Sequence, residues 1–161
     1  MKHVNVALFV PHYGCPHQCS FCNQKTITGV KKPLMPSDVD DAVSTALKSS
    51  KTSPEKSEIA FFGGSFTAID RGYMISLLES AYKYVCEGLF KGIRISTRPD
   101  CIDNEMLDIL KKYGVTSIEL GAQSMSDRVL KMNERGHTSS DVENASELIK
   151  EYGFELGLQM M

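Results

Sequence analysis

Five short apolar runs, each parted from the next by a helix-patterned segment, constrain this chain more than any other feature. Residues 4–10, 58–62, 93–97, 115–120 and 154–160 read as strands. Between the first two, Pro36-Ser37 opens a helix with Ser37 as N-cap and Val39, Val43, Ala46 and Leu47 on one face. A helix over 71–86 carries Met74, Leu78, Ala81, Tyr82 and Val85 on one side, and another over 104–112 stops at Gly114. A short helical piece follows Ser126. Ser140-Asp141-Val142-Glu143 then reads as a capping box opening a helix to Tyr152, with Val142, Ala145, Leu148, Ile149 and Tyr152 as its apolar face. Strands that alternate with helices build a parallel sheet, because each crossover must carry the chain back to the same end. Two junctions repeat the same grammar, Lys112-Tyr113-Gly114-Val115 and Glu151-Tyr152-Gly153-Phe154, each ending a helix on glycine and starting a strand.

The chain has 161 residues, one domain's worth, and 42% hydrophobic content supports a real core. A net charge of -2 gives no sign of a nucleic-acid-binding tail, though a local basic groove would not show in the total. No apolar run is long enough to span a bilayer, and the N-terminus lacks the apolar stretch of a signal peptide, so the expectation is a cytoplasmic, reducing setting without membrane.

In that setting five cysteines, three of them crowded together, read as ligands rather than as a disulfide framework. Cys15, Cys19 and Cys22 form a C-x3-C-x2-C run in the loop after the first strand. Three thiolates on a short loop suit a four-iron cluster and leave one iron without a protein ligand. The spacing alone leaves two rivals: zinc with His12 or His17 as fourth ligand, and a Cys19–Cys22 redox pair. Placement at the end of the first strand of an α/β repeat favours the cluster. His12, Tyr13 and His17 then read as flanking groups, Cys86 as a buried thiol and Cys101 as a spare one.

The stretch Gly14-Cys15-Pro16-His17-Gln18-Cys19-Ser20-Phe21-Cys22 resembles the signature of the radical S-adenosylmethionine (radical SAM) enzymes, with Phe21 as the aromatic before the third cysteine. Phe61-Phe62-Gly63-Gly64-Ser65-Phe66-Thr67 resembles that family's glycine motif after the second strand. Glu119-Leu120-Gly121-Ala122-Gln123-Ser124 resembles its fourth strand, and Asn133-Glu134-Arg135-Gly136-His137-Thr138 a following turn. Together these resemble the branch with the Elp3-like and coproporphyrinogen-dehydrogenase-like proteins. The resemblance implies an α/β fold, a partial parallel (β/α) barrel with about five of its six strands present and the sixth βα unit missing.

It also implies a division of labour. Cys15, Cys19 and Cys22 hold a 4Fe-4S cluster, and S-adenosyl-L-methionine chelates the open iron. Gly63 and Gly64 let backbone approach the methionyl group, with the Ser65 hydroxyl beside them where relatives often carry glutamate or threonine. Arg135 pairs with the cofactor carboxylate. Gln123 reaches its ribose or carboxylate, Ser96 stands where some relatives place a ribose-binding acid, and Gln159 matches another polar cofactor position. Phe21 packs beside the cluster. An external one-electron donor, flavodoxin- or ferredoxin-like, reduces the cluster, and reductive cleavage yields methionine and a 5′-deoxyadenosyl radical that takes hydrogen from substrate. The substrate is a tRNA on the Elp3-like reading, which the glycine motif and Arg135-Gly136-His137-Thr138 favour, or a small tetrapyrrole on the other. Because the chain stops at Gln159-Met160-Met161, inside the fifth strand, it reads as the N-terminal part, residues 1–161, of a truncated core domain with little turnover of its own.

Overall fold

The computed structural model describes residues 4–10, 19–20, 22, 32–49 and 53–161. Five strands, β1 (Val4–Val10), β2 (Ser57–Gly63), β3 (Gly92–Thr97), β4 (Val115–Gln123) and β5 (Glu155–Met160), form one sheet in the order β1-β2-β3-β4-β5. Every neighbouring pair is parallel. Helices α1 (Pro36–Lys48), α2 (Arg71–Cys86), α3 (Asn104–Lys112), α4 (Asp127–Met132) and α5 (Ser139–Glu151) lie in the crossovers. Sequential strand order with helical crossovers is the arrangement of a parallel β/α barrel wall.

One face of the sheet is dry. Val6, Leu8 and Val10 of β1, Ile59 and Phe61 of β2, Ile93 and Ile95 of β3 and Ile118 and Leu120 of β4 pack with Val39 and Val43 of α1, Met74, Leu77 and Leu78 of α2, Leu107 and Leu110 of α3 and Ile149 of α5. Period-2 apolar positions on the strands thus meet period-3.6 positions on the helices. The two repeated junctions have matching geometry: Gly114 and Gly153 have φ of 72° and 82°, and their N–H groups donate to Lys111 O and Lys150 O at 3.2 and 2.9 Å.

Several boundaries differ from the sequence reading. Pro36, not a residue after Ser37, begins α1; Met35 is its N-cap, and Asp38 accepts from the Met35 N–H at 2.7 Å. Proline suits that first position because its missing N–H would find no intrahelical acceptor. Leu47 is exposed, so the inner stripe of α1 is Val39 and Val43 with Ala46 at its margin. The capping box of α5 belongs to Thr138 and Asp141, two residues earlier than Ser140: Thr138 N donates to Asp141 Oδ2 at 2.7 Å, and Asp141 N to Thr138 Oγ1 at 3.2 Å. Strand β4 runs on through Gly121 to Gln123. Cys86 is exposed, not buried, because Val85 takes the inward position at the end of α2.

The opposite face of the sheet is polar from Glu58 of β2 across β3 and β4. Glu58 is fully buried there and accepts from Thr116 Oγ1 at 2.8 Å, Ser117 Oγ at 2.6 Å and Arg94 Nε and Nη2 at 2.9 and 2.8 Å. Arg94 Nη1 reaches on to Glu119 Oε1 at 3.1 Å. The charge is thereby satisfied from three sides, the condition for burying a carboxylate. Burial alone would push the Glu58 carboxyl up; the Ser117 and Thr116 hydroxyls and the Arg94 guanidinium outweigh it and hold it below its usual range.

Two predictions follow from these positions. Gly63 has φ of 125°, and a Cβ there would lie 2.3 Å from the Val10 carbonyl oxygen of β1; Gly153 has a positive φ with nothing within 4 Å. Urea unfolding of Gly63→Ala is expected to show a loss of about 3 kcal/mol, against about 1 kcal/mol for Gly153→Ala, where only backbone strain is added. Equal losses would show that the contact with β1 contributes nothing. For Glu58 the folded carboxyl titrates below the unfolded one, so its contribution is present above about pH 4.5 and lost as pH falls through the lower folded value. Glu58→Gln should be less stable at pH 7 and should show a shallower loss of stability below pH 4.5 than the unaltered protein.

Candidate cluster and cofactor site

The C-terminal ends of β2, β3 and β4 bring together residues that lie far apart in the chain. Ser65 directly follows the glycine pair and is buried; its hydroxyl is 2.9 Å from Thr97 Oγ1 and accepts from Arg98 N at 3.3 Å. Thr97 in turn meets Thr67 Oγ1 at 2.5 Å, and Thr67 donates to Cys101 O at 2.8 Å. Ser65 is thus built into a chain of hydroxyls that ties the glycine turn to the end of β3. Gly64 N points at Val10 O at 3.5 Å, so both glycines of the pair lie against the last residue of β1.

Arg135 is the centre of a second group. Its guanidinium is buried; Nη1 donates to Cys19 Sγ at 3.3 Å and Nη2 to Gly121 O at 2.5 Å. Gly121 makes room for it, since a Cβ there would lie 3.1 Å from Arg135 Nη2 and 3.3 Å from Gln123 Nε2. Arg135 and Gln123 therefore converge on one glycine of β4. The backbone at Gln123 has φ of 65°, a left-handed bend where β4 ends.

Arg98 and His137 complete the group. Arg98 holds Asp100 with Nε and Nη2 at 2.9 and 3.1 Å, and Nη2 also donates to the backbone carbonyl of Arg135. Burial disfavours the charge on Arg98, but the Asp100 carboxylate beside it outweighs that and raises its pKa. His137 Nε2 lies 3.2 Å from Ala122 O, so that nitrogen carries the proton and Nδ1 is left as an acceptor. Burial, then the positive charges of Arg135 and Arg98, hold the imidazole below its ordinary pKa and keep it neutral, against the opposing pull of Ala122 O.

The cysteine loop docks onto this group. Cys19 is buried and Cys22 half-buried, with Cys22 N donating to Cys19 O at 3.0 Å. Ser20 N donates to Asn133 O at 3.3 Å and Ser20 Oγ to Asn133 Oδ1 at 3.0 Å. Cys15 and Phe21, with His12, Tyr13 and His17, lie outside the described residues. Two other expected site residues sit apart from Arg135: Ser96 faces Glu119 Oε2 at 3.5 Å on the polar side of the sheet, and Gln159 is exposed on the edge strand β5.

The donor set fits an iron–sulfur cluster with an anionic ligand nearby. The soft Cys19 sulfur adjoins a buried cation, and Cys22 follows it by three residues. Arg98 and Arg135 are 3% and 8% exposed, and each keeps one buried donor nitrogen, Nη1 and Nε respectively, without a partner among the described residues; the His137 Nδ1 acceptor is also unpaired there. Buried polar atoms left this way cost stability unless something else meets them. Arg98 escaped the sequence reading because a lone arginine before proline reads as surface. The one available hint was its place at the end of a strand that points to the same rim as the glycine pair.

A pH prediction comes from His137. Its folded pKa lies below the unfolded value of 6.5, so the unfolded chain takes up the proton first and stability falls as pH drops below 6.5. His137→Gln is expected to flatten that decline between pH 6.5 and 5, measured by thermal unfolding. An unchanged slope would place the titration elsewhere.

Comparison with known proteins places this geometry. The family model of the Radical SAM superfamily matches residues 9–161. The chain is 30% identical over 124 residues to a tRNA uridine(34) acetyltransferase of Dehalococcoides mccartyi (strain CBDB1), a match covering 66% of this chain and 27% of the relative. It is 35% identical over 133 residues to Elongator complex protein 3 of Homo sapiens, covering 71% and 24%. The chain thus spans about a quarter of the length of the curated relatives it matches. Among solved structures, the Methanocaldococcus infernus Elp3 with an N-terminal deletion superposes with a TM-score of 0.72 at 20% identity, covering 100% of this chain and 38% of that one. Methylornithine synthase (PylB) superposes at 0.69 with 18% identity, covering 98% and 44%. The five-stranded parallel wall, the cysteine loop docked on its rim and these relatives agree: the chain belongs to the radical SAM superfamily, on its Elp3-like side.

Proposed function

We propose that this chain is the radical-generating part of an Elp3-like enzyme, with a 4Fe-4S cluster on Cys15, Cys19 and Cys22 and S-adenosyl-L-methionine beside it. The observation that carries the reading is the Arg135–Cys19 contact, which sets Cys19 beside Gly121 near the C-terminal end of β4. In parallel β/α barrels that end of the strands holds the active site. The bound pair of cofactors would supply one-electron reductive cleavage of a sulfonium C–S bond, and through it hydrogen abstraction from a substrate.

The chain's own residues have binding and orienting work. Gly63 and Gly64 keep side chains off the rim next to β1. Gln123 and the free Nε of Arg135 offer donors to a carboxylate or ribose, and Arg98 Nη1 adds a third. Arg98, oriented by Asp100, donates to the Arg135 carbonyl and so ties down the turn that follows α4. Ser65 acts through the hydroxyl chain to Thr97 rather than by reaching outward. Residues 1–161 form this part of the core domain, an external flavodoxin- or ferredoxin-like protein supplies the electron, and the substrate of the whole protein is a tRNA, as the names of its relatives suggest. Among the described residues no helix is long and apolar enough to cross a membrane.

Anaerobic reconstitution with iron and sulfide tests the reading. The expected product binds about four irons per chain and, once reduced, gives an electron paramagnetic resonance signal that changes on adding S-adenosyl-L-methionine. Cys19→Ala and Cys22→Ala should lose the cluster, whereas the exposed Cys86→Ala should keep it. Zinc bound at one ion per chain with no iron uptake would overturn the proposal.

A further inference from the structure

We infer that Arg135 is a positioning residue for the cluster ligand Cys19: its guanidinium holds the ligating sulfur and makes the cluster easier to reduce, and Arg98 buttresses it. The inference rests on the cluster reading above. Arg135 is buried, yet among the described residues its charge is met by a sulfur and a carbonyl rather than by a carboxylate. Arg94 and Arg98, the other arginines of this part of the fold, each face a carboxylate within 3.1 Å. A buried cation lacking a formal counter-charge is costly, and a thiolate sulfur of a cluster supplies that charge.

The placement of Arg135 is over-determined. Its N–H donates to Leu130 O at 3.0 Å, its carbonyl accepts from Arg98 Nη2, and Gly121 leaves the space that Nη2 occupies. The planar fork therefore spans from the β4 backbone to Cys19, a geometry that a lysine ammonium can meet at only one end. Hydrogen bonds to cluster sulfurs and local positive charge are established levers on cluster potential. On reduction the added electron, supplied by dithionite in the test, increases the negative charge of the cluster. A cation bonded to one ligand sulfur lowers the energy of that state, and no protein bond is made or broken.

The test is a potentiometric titration of the reconstituted protein and three variants, followed by electron paramagnetic resonance, with iron and sulfide content measured in each. Arg135→Gln should bind the same iron and sulfide but be harder to reduce. Its ratio of reduced to oxidised cluster at fixed potential should fall about tenfold, equivalent to about 59 mV for one electron. Arg135→Lys should recover part of that loss by restoring the charge, and Arg98→Gln should shift in the same direction by less. A purely structural role would change cluster content without rescue by lysine. If Arg135→Gln fails to fold, as judged by circular dichroism, Arg135→Lys and Arg98→Gln still carry the comparison. Unchanged potentials in fully loaded variants would overturn the inference and leave the cluster reading standing. Failure of the unaltered protein to take up iron would overturn both.

Discussion

A single guanidinium joins parts of this chain that the sequence keeps far apart. Arg135 reaches Cys19 across a separation of 116 residues and Gly121 across 14. The cysteine loop follows β1 at one edge of the sheet, and Gly121 belongs to β4, three strands away. Loop closure over such a span is entropically unfavourable, and among the described residues Arg135 and the Ser20–Asn133 pair are what hold Cys19 and Ser20 to the barrel rim. The order of dependence follows. Arg98, itself held by Asp100, donates to the Arg135 carbonyl, the missing side chain of Gly121 admits the fork, and the fork reaches the Cys19 sulfur.

The sheet can present such a rim because its two faces solve different problems. Towards the helices it is a dry, interlocked core that supplies most of the stabilisation. On the other side the Glu58–Arg94–Glu119 network replaces apolar packing with directed hydrogen bonds. Ionic networks of this kind are a poor source of net stability but a good source of register, because one slipped strand would strand a buried charge. The irregular pairing between Ile93 and Arg94 fits that role: the β3–β4 register shifts where Thr116 and Ser117 both turn to Glu58.

Local signals in the sequence carried much of this. Strand and helix identity, the parallel sheet and the glycine ends of α3 and α5 were legible because each depends on periodicity or on a residue's own backbone preference. Errors fell where two nearby residues could do the same job. Ser37 and Ser140 are good caps, but Met35, before the proline that starts α1, and Thr138 hold those places once the preceding backbone is set. Cys86 follows an apolar run, and only packing shows that Val85 takes the inner position. The tertiary partners were not legible: Arg98, Asp100 and the Ser65–Thr67–Thr97 hydroxyls meet only because β2 and β3 end at the same level. Gly63 was read as a glycine making way for a ligand, and the nearest thing it makes way for is the Val10 carbonyl.

That last point bears on how the cysteine loop is mounted. Its first anchor is Val10, the final residue of β1, pressed against Gly63 with no room for a methyl group. This contact is backbone on backbone and carries no charge, so neither pH nor salt should alter it. The second anchor, at Cys19 and Ser20, is polar and includes a cation. A buried polar contact is strong when every partner is present and costly when one is missing. The two contacts therefore respond to different perturbations: packing changes at Gly63 act on Val10, and changes of charge at Arg135 or Arg98 act on Cys19. Because Cys19 sits at the second contact rather than the first, its surroundings are set by the contact that charge controls.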